Sequence, residues 1–121
     1  MRINSVFVVL ISFLVSACGE KADSTWIENK YMSKASRFVE VDGNRVHYRD
    51  EGKGRTVILI HGTASSLHTW DKWTKILSEN YRVIRLDLPA YGLTGSHPQK
   101  KYALDDYRLF LEEFFKKLEL N

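Results

Sequence analysis

Cysteine is almost missing from this chain, one in 121 residues, so no internal disulfide can hold it together. Proline is nearly as rare, with two residues, which leaves no Pro-rich linker or polyproline ligand segment. The seven glycines follow no period. Gly92-Leu93-Thr94-Gly95 lacks the following Lys and helix start that a phosphate-cradling loop requires. Charge of one sign is missing too: 18 Lys and Arg are interspersed with 15 Asp and Glu, which excludes a strongly basic nucleic-acid binder. His47, His61, His68 and His97 lack the short paired spacing of zinc ligands, so no metal or cofactor is expected. Neither a heptad nor a longer repeat is present, which argues against coiled coils and solenoids. What the sequence does contain, 44% hydrophobic and 27% charged residues, fits one globular domain.

The longest apolar run, Val6–Val15, is interrupted only by Ser12 and follows a basic start at Arg2. It falls short of the roughly 20 residues that span a bilayer, but suits the apolar segment of a secretory signal. Val15-Ser16-Ala17-Cys18 resembles the bacterial lipobox, in which the cysteine becomes the lipidated N-terminus. The expected organisation is a signal peptide over 1–17, a tether over 18–36 and a folded body over 37–121. That layout implies a domain anchored through Cys18 to a membrane of the bacterial cell envelope, facing the periplasm or the exterior.

The body alternates between strand and helix signals. Arg37–Val41 and Arg45–Tyr48 flank Asp42-Gly43-Asn44, a glycine-containing hairpin connection. Thr56–Ile60 is a continuous β-branched run, predicted as a strand buried on both faces. A small-residue loop, His61–Ser66, leads to helical spacing over Thr69–Glu79, with Trp70, Trp73, Ile76 and Leu77 on one side and Trp70 and Trp73 expected to pack the helix onto the sheet. Tyr81–Leu86 reads as another strand, followed by a breaker-rich loop from Asp87 to Gly92. Leu104–Leu120 reads as an amphipathic helix with Tyr107, Leu111, Phe114 and Leu118 in one stripe. A hairpin followed by strand, helix, strand and helix opens an α/β fold with a mostly parallel sheet, its helices on opposite faces.

Five segments in order carry a family resemblance: Ser36–Gly43, Val46–Gly52, Ile58–Thr63, Ser66–Asp71 and Tyr81–Pro89. Together they resemble the opening of the α/β-hydrolase superfamily, in its esterase-like, lid-bearing branch. The resemblance implies a serine-type acyl or ester hydrolase acting on a small-molecule acyl substrate without a cofactor. In that chemistry Ser attacks, His acts as base, and backbone N–H groups hold the developing oxyanion. By resemblance the oxyanion donor here is the N–H of Thr63. Gly62 allows close approach of the backbone to substrate, and His61 supports the loop rather than taking protons.

The nucleophile turn G-x-S-x-G of the family does not occur in these residues. Ser65, Ser66 and His68 are consecutive loop residues without an orienting acid, a poor substitute. The expectation is therefore an incomplete, N-terminal portion of the hydrolase fold, inactive alone, with no nucleophile of its own. A non-enzymatic reading stands beside it: a short lipoprotein serving as a binding or assembly module, with a partner adding a strand along Thr56–Ile60. A second departure from the pattern is Ala90, where the family usually carries Gly. Alanine there costs about 1–2 kcal/mol if the backbone takes positive φ, and nothing otherwise.

Overall fold

The computed structural model describes residues 24–120, so the signal, lipobox and Cys18 expectations lie outside the described residues. The described residues fall into two units, divided between Lys30 and Tyr31. Helix α1 (Ser24–Tyr31) has no buried residue, and its Lys30 ammonium sits over the Trp26 ring, 4.6 Å from the centroid.

The second unit is built on a hairpin of β1 (Ser36–Val41) and β2 (Asn44–Glu51). Val41 pairs with Asn44, which leaves Asp42-Gly43 as a two-residue turn, both at positive φ. Asp-Gly supplies that conformation at low cost, and the resulting twist matches the strands. Strands β3 (Thr56–Ile60) and β4 (Arg82–Leu86) complete a sheet of order β1-β2-β4-β3. β4 runs antiparallel to β2 and parallel to β3, lying between them.

Side chains alternate across β4, and each face meets a different helix. Ile84 and Leu86 join Val41 and Val46 beneath Phe110 and Phe114 of α3 (Leu104–Lys117). The opposite face carries Arg85, whose guanidinium reaches the Leu67 carbonyl and Asp71. Those partners belong to a 3-10 turn (Leu67–Trp70) and to α2 (Asp71–Leu77). The two crossover helices thus cover opposite faces, as expected for right-handed connections.

Three expectations need correction. Thr56–Ile60 is only partly buried, and Ile60 is 39% exposed, because β3 pairs on one side alone among the described residues. Trp73 and Ile76 do not pack on the sheet; they are 59% and 68% exposed, while Leu67 and Thr74 turn inward. The segment opens with a tighter 3-10 turn, capped by Ser66 Oγ accepting the His68 N–H. This rotates the later residues relative to ideal α spacing. The sheet beneath α2 is also polar, since Arg85 pairs there with Asp71 and Glu51. In α3 the buried centre is Phe110 and Phe114, with Leu111, Phe115 and Leu118 flanking, while Tyr107 donates its hydroxyl to the Pro89 carbonyl at 2.9 Å. The helix stops at Lys117 rather than Leu120. Glu119 turns left-handed at φ 53°, and the Leu120 N–H closes back on the Phe115 carbonyl, a Schellman ending.

Candidate active-site loops

Two loops meet at the C-terminal ends of β3 and β4, the edge where parallel sheets place their ligands. The first, His61–Ser66, contains the residues singled out from the sequence. His61 is 3% exposed, and its Nε2 accepts the Leu88 N–H at 3.1 Å. That donor fixes the tautomer: Nδ1 carries the proton and donates to the Gly62 carbonyl at 2.8 Å. The ring also meets Tyr91 edge-on, centroids 5.3 Å apart. His61 therefore ties the two loops together, with both nitrogens occupied.

Gly62 and Thr63 are exposed, and nothing lies within 4 Å of the point where a Cβ on Gly62 would sit. Among the described residues the Thr63 N–H has no hydrogen-bond acceptor. Ala64 follows at φ 54°, turning the chain toward Ser65. Ser65 pairs with Thr69 through their hydroxyls, Ser66 caps the 3-10 turn, and His68 Nδ1 pairs with Asp71 at 3.2 Å. These three side chains are occupied locally and do not combine as nucleophile and base.

The second loop is organised by Asp87, which is 1% exposed. Its Oδ1 accepts the Leu67 N–H at 2.8 Å, and its Oδ2 accepts the Leu93 N–H at 2.9 Å. Oδ2 also takes His47 Nδ1 at 2.8 Å. Burial alone pushes the carboxyl pKa up, but the hydrogen bonds from His47, Leu67 and Leu93 outweigh it and hold the value below the ordinary carboxylate range. The backbone closes around this group: Thr94 donates its hydroxyl to the Asp87 carbonyl and accepts the His47 N–H. A Cβ on Gly92 would lie 2.2 Å from the Asp87 carboxyl carbon, and φ there is 50°, so glycine is required on both counts. Ala90 adopts φ 78°, which places its backbone in the conformation that penalises a Cβ.

Sequence reading did not single out Asp87, His47 or Ser36, whose Oγ lies 2.8 Å from His47 Nε2. Ser36 lies on β1, His47 on β2 and Asp87 just after β4, and no local period marks them. The available signals were a histidine within a strand and an acid where a buried strand meets a breaker-rich loop. The four histidines are dispersed, and the described residues contain no cluster of three or more His, Cys, Asp or Glu side chains that could hold a metal.

The model of the alpha/beta hydrolase fold matches residues 55–121. A curated relative is the 2-hydroxy-6-oxo-6-(2'-aminophenyl)hexa-2,4-dienoic acid hydrolase of Metapseudomonas resinovorans, 32% identical over 105 residues. That match covers 84% of this chain and 33% of the relative. A solved meta-cleavage product hydrolase from Pseudomonas fluorescens IP01 superposes with a TM-score of 0.64 at 30% identity, covering 69% of this chain and 32% of that one. The Cif epoxide hydrolase from Acinetobacter nosocomialis superposes at 0.66 with 25% identity, covering 84% and 36%. The chain thus spans about a third of the length of these relatives. The family-model match, the mixed sheet with helices on both faces and the loop after β3 lead to one assignment: the chain belongs to the α/β hydrolase fold family.

Proposed function

We infer that these residues are the N-terminal part of a lipid-anchored serine-type hydrolase of acyl or ester bonds, and that they supply half of its oxyanion hole. The carrying observation is an exposed Thr63 N–H without an acceptor, on a loop held rigid from both ends. His61 binds the neighbouring loop at one end, and the Leu67 N–H binds Asp87 at the other. An oxyanion donor must be fixed before the charge develops, because its worth comes from needing no reorganisation. The nucleophile, base and acid would lie in sequence beyond these residues, a reading supported by the share of the relatives that they span. Cys18 would carry the lipid anchor, at the membrane of the cell envelope. The relatives' names include hydrolases of different substrates, an epoxide among them, so the fold does not choose the substrate within the hydrolase class.

The test uses esterase activity of the full-length protein. Thr63→Pro removes the N–H and should lower kcat about 10²–10³-fold. Thr63→Ala keeps the N–H and should leave kcat near wild type. Equal activity in all three proteins would refute the oxyanion role. Metabolic labelling with a fatty acid, lost in Cys18→Ser, tests the anchor separately.

The unpaired side of β3 favours a second reading, a non-enzymatic binding or assembly module whose partner adds a strand along Thr56–Ile60. An endogenous partner contacting this segment in crosslinking of the purified native protein, together with absence of esterase activity, would favour it.

A further inference from the structure

Ser36, His47 and Asp87 form a hydrogen-bonded series distinct from the His61 loop. Ser36 Oγ lies 2.8 Å from His47 Nε2, and His47 Nδ1 lies 2.8 Å from Asp87 Oδ2. The polarity of the series follows from the Asp87 end when His47 is neutral. The Asp87 carboxylate can only accept, so Nδ1 bears a proton, and in the neutral imidazole Nε2 presents its lone pair. Ser36 Oγ already accepts the Ser33 N–H at 3.0 Å, which leaves its own hydrogen for Nε2. A hydroxyl, a base and an acid that orients the base are thereby joined in the order that activates a serine. His47 is fully buried, with the Phe38 ring 5.1 Å from its own, whereas Ser36 is partly exposed at the start of β1.

We propose that Ser36 is a nucleophile that takes an acyl or phosphonyl group from an activated ester or fluoride, with His47 as general base and Asp87 as its orienting acid. With a fluorophosphonate the step is an addition–displacement at phosphorus. The Oγ–H bond breaks and its proton passes to His47 Nε2. An Oγ–P bond forms, and the P–F bond breaks with its electron pair leaving on fluoride. The imidazolium, held by the Asp87 carboxylate, then returns its proton to water. The N–H groups of Ser33, Ala35 and Ser36 are already engaged with Ser36 Oγ, Ser33 Oγ and the Ser33 carbonyl, so they supply no oxyanion hole. The acceleration expected is therefore that of general-base assistance alone, about 10²–10⁴-fold.

Ser33 provides an internal standard in the same molecule, exposed and without an imidazole contact. The full-length protein is treated with a fluorophosphonate, and the adducts are quantified residue by residue by peptide mass spectrometry. Ser36 should react at least about 100-fold faster than Ser33 in the folded protein. In urea the two rates should become equal. His47→Gln keeps hydrogen-bonding capacity but cannot take the proton, and should bring Ser36 down to the Ser33 rate. If Ser36 reacts no faster than Ser33 in the folded wild-type protein, the proposal is overturned. It is overturned equally if a folded His47→Gln protein labels Ser36 at the wild-type rate. The wild-type comparison decides the matter even if that variant does not fold, and it reads Ser36 independently of any nucleophile serving the Thr63 loop.

Discussion

Asp87→Asn separates hydrogen bonding from charge at the centre of the two loops. The wild-type carboxylate presents two oxygens to three N–H donors, from His47, Leu67 and Leu93. Asparagine presents one oxygen and one NH2 group. If its oxygen keeps the Leu67 N–H, the NH2 faces His47 Nδ1 and the Leu93 N–H. His47 can adapt by moving its proton to Nε2, so that Nδ1 accepts from the amide and Nε2 donates to Ser36 Oγ. The Leu93 N–H cannot adapt and loses its acceptor, at about 1–3 kcal/mol. The surviving bond to Leu67 loses charge assistance, which brings the total to about 2–4 kcal/mol. The pH dependence has a definite sign. The folded-state pKa of Asp87 is lowered, so its contribution is complete above the ordinary carboxylate value of about 4 and is lost as pH falls through the folded value. Urea unfolding of the full-length wild-type and variant proteins, at neutral and at acid pH, measures both effects. The wild-type advantage should be largest at neutral pH and shrink in acid. A difference below about 1 kcal/mol at neutral pH, or one that does not narrow in acid, would refute the account of Asp87 as an ionised acceptor. The proton shift on His47 also leaves Ser36 without a base, so fluorophosphonate labelling of Ser36 should fall to the Ser33 rate in this variant.

Ala90→Gly should stabilise the full-length protein by about 0.5–1 kcal/mol. Relief of about 1–2 kcal/mol at positive φ exceeds the entropic cost of glycine, and a lower melting temperature would contradict this. Gly92→Ala should do the opposite, since its Cβ would overlap the Asp87 carboxyl; loss of the protected Leu67 and Leu93 amides in hydrogen exchange is the expected signature. Phe114→Ala removes a fully buried ring packed against Tyr48, Phe110 and Phe115, and should cost about 3–5 kcal/mol in chemical denaturation.

The elements governed by short-range chemistry were legible in the sequence. Asp42-Gly43 marked the hairpin turn, the β-branched run marked β3, and acids near its start with lysines near its end marked α3. His61, Gly62 and Thr63 were put forward through resemblance, and the structure adds what the residues themselves could not show: that the His61 ring holds Leu88. The reading failed where neighbours from distant parts of the chain decide. Trp73 and Ile76 have the period of a buried helix face, yet the sheet opposite α2 carries Arg85 and its carboxylate partners. Arg49 stands directly opposite Arg85 in the strand register, where burial, followed by the charge of Arg85, pushes the Arg49 pKa down; no period announces that pairing. The contact between His47 and Asp87 spans 40 residues of chain and exists only because β2 and β4 are neighbours.

The placement of β4 between β2 and β3 sets the timing of biosynthesis. β3 leaves the ribosome before the strand that will join it to the hairpin, and 26 more residues (60 to 86) must follow before β4 is complete. At a synthesis rate of about 5–20 residues per second, Thr56–Ile60 waits roughly 1–5 s with both of its edges open. During that interval a short β-branched segment is available to other chains or to a chaperone, and β4 closes one of its edges by inserting between two strands already made.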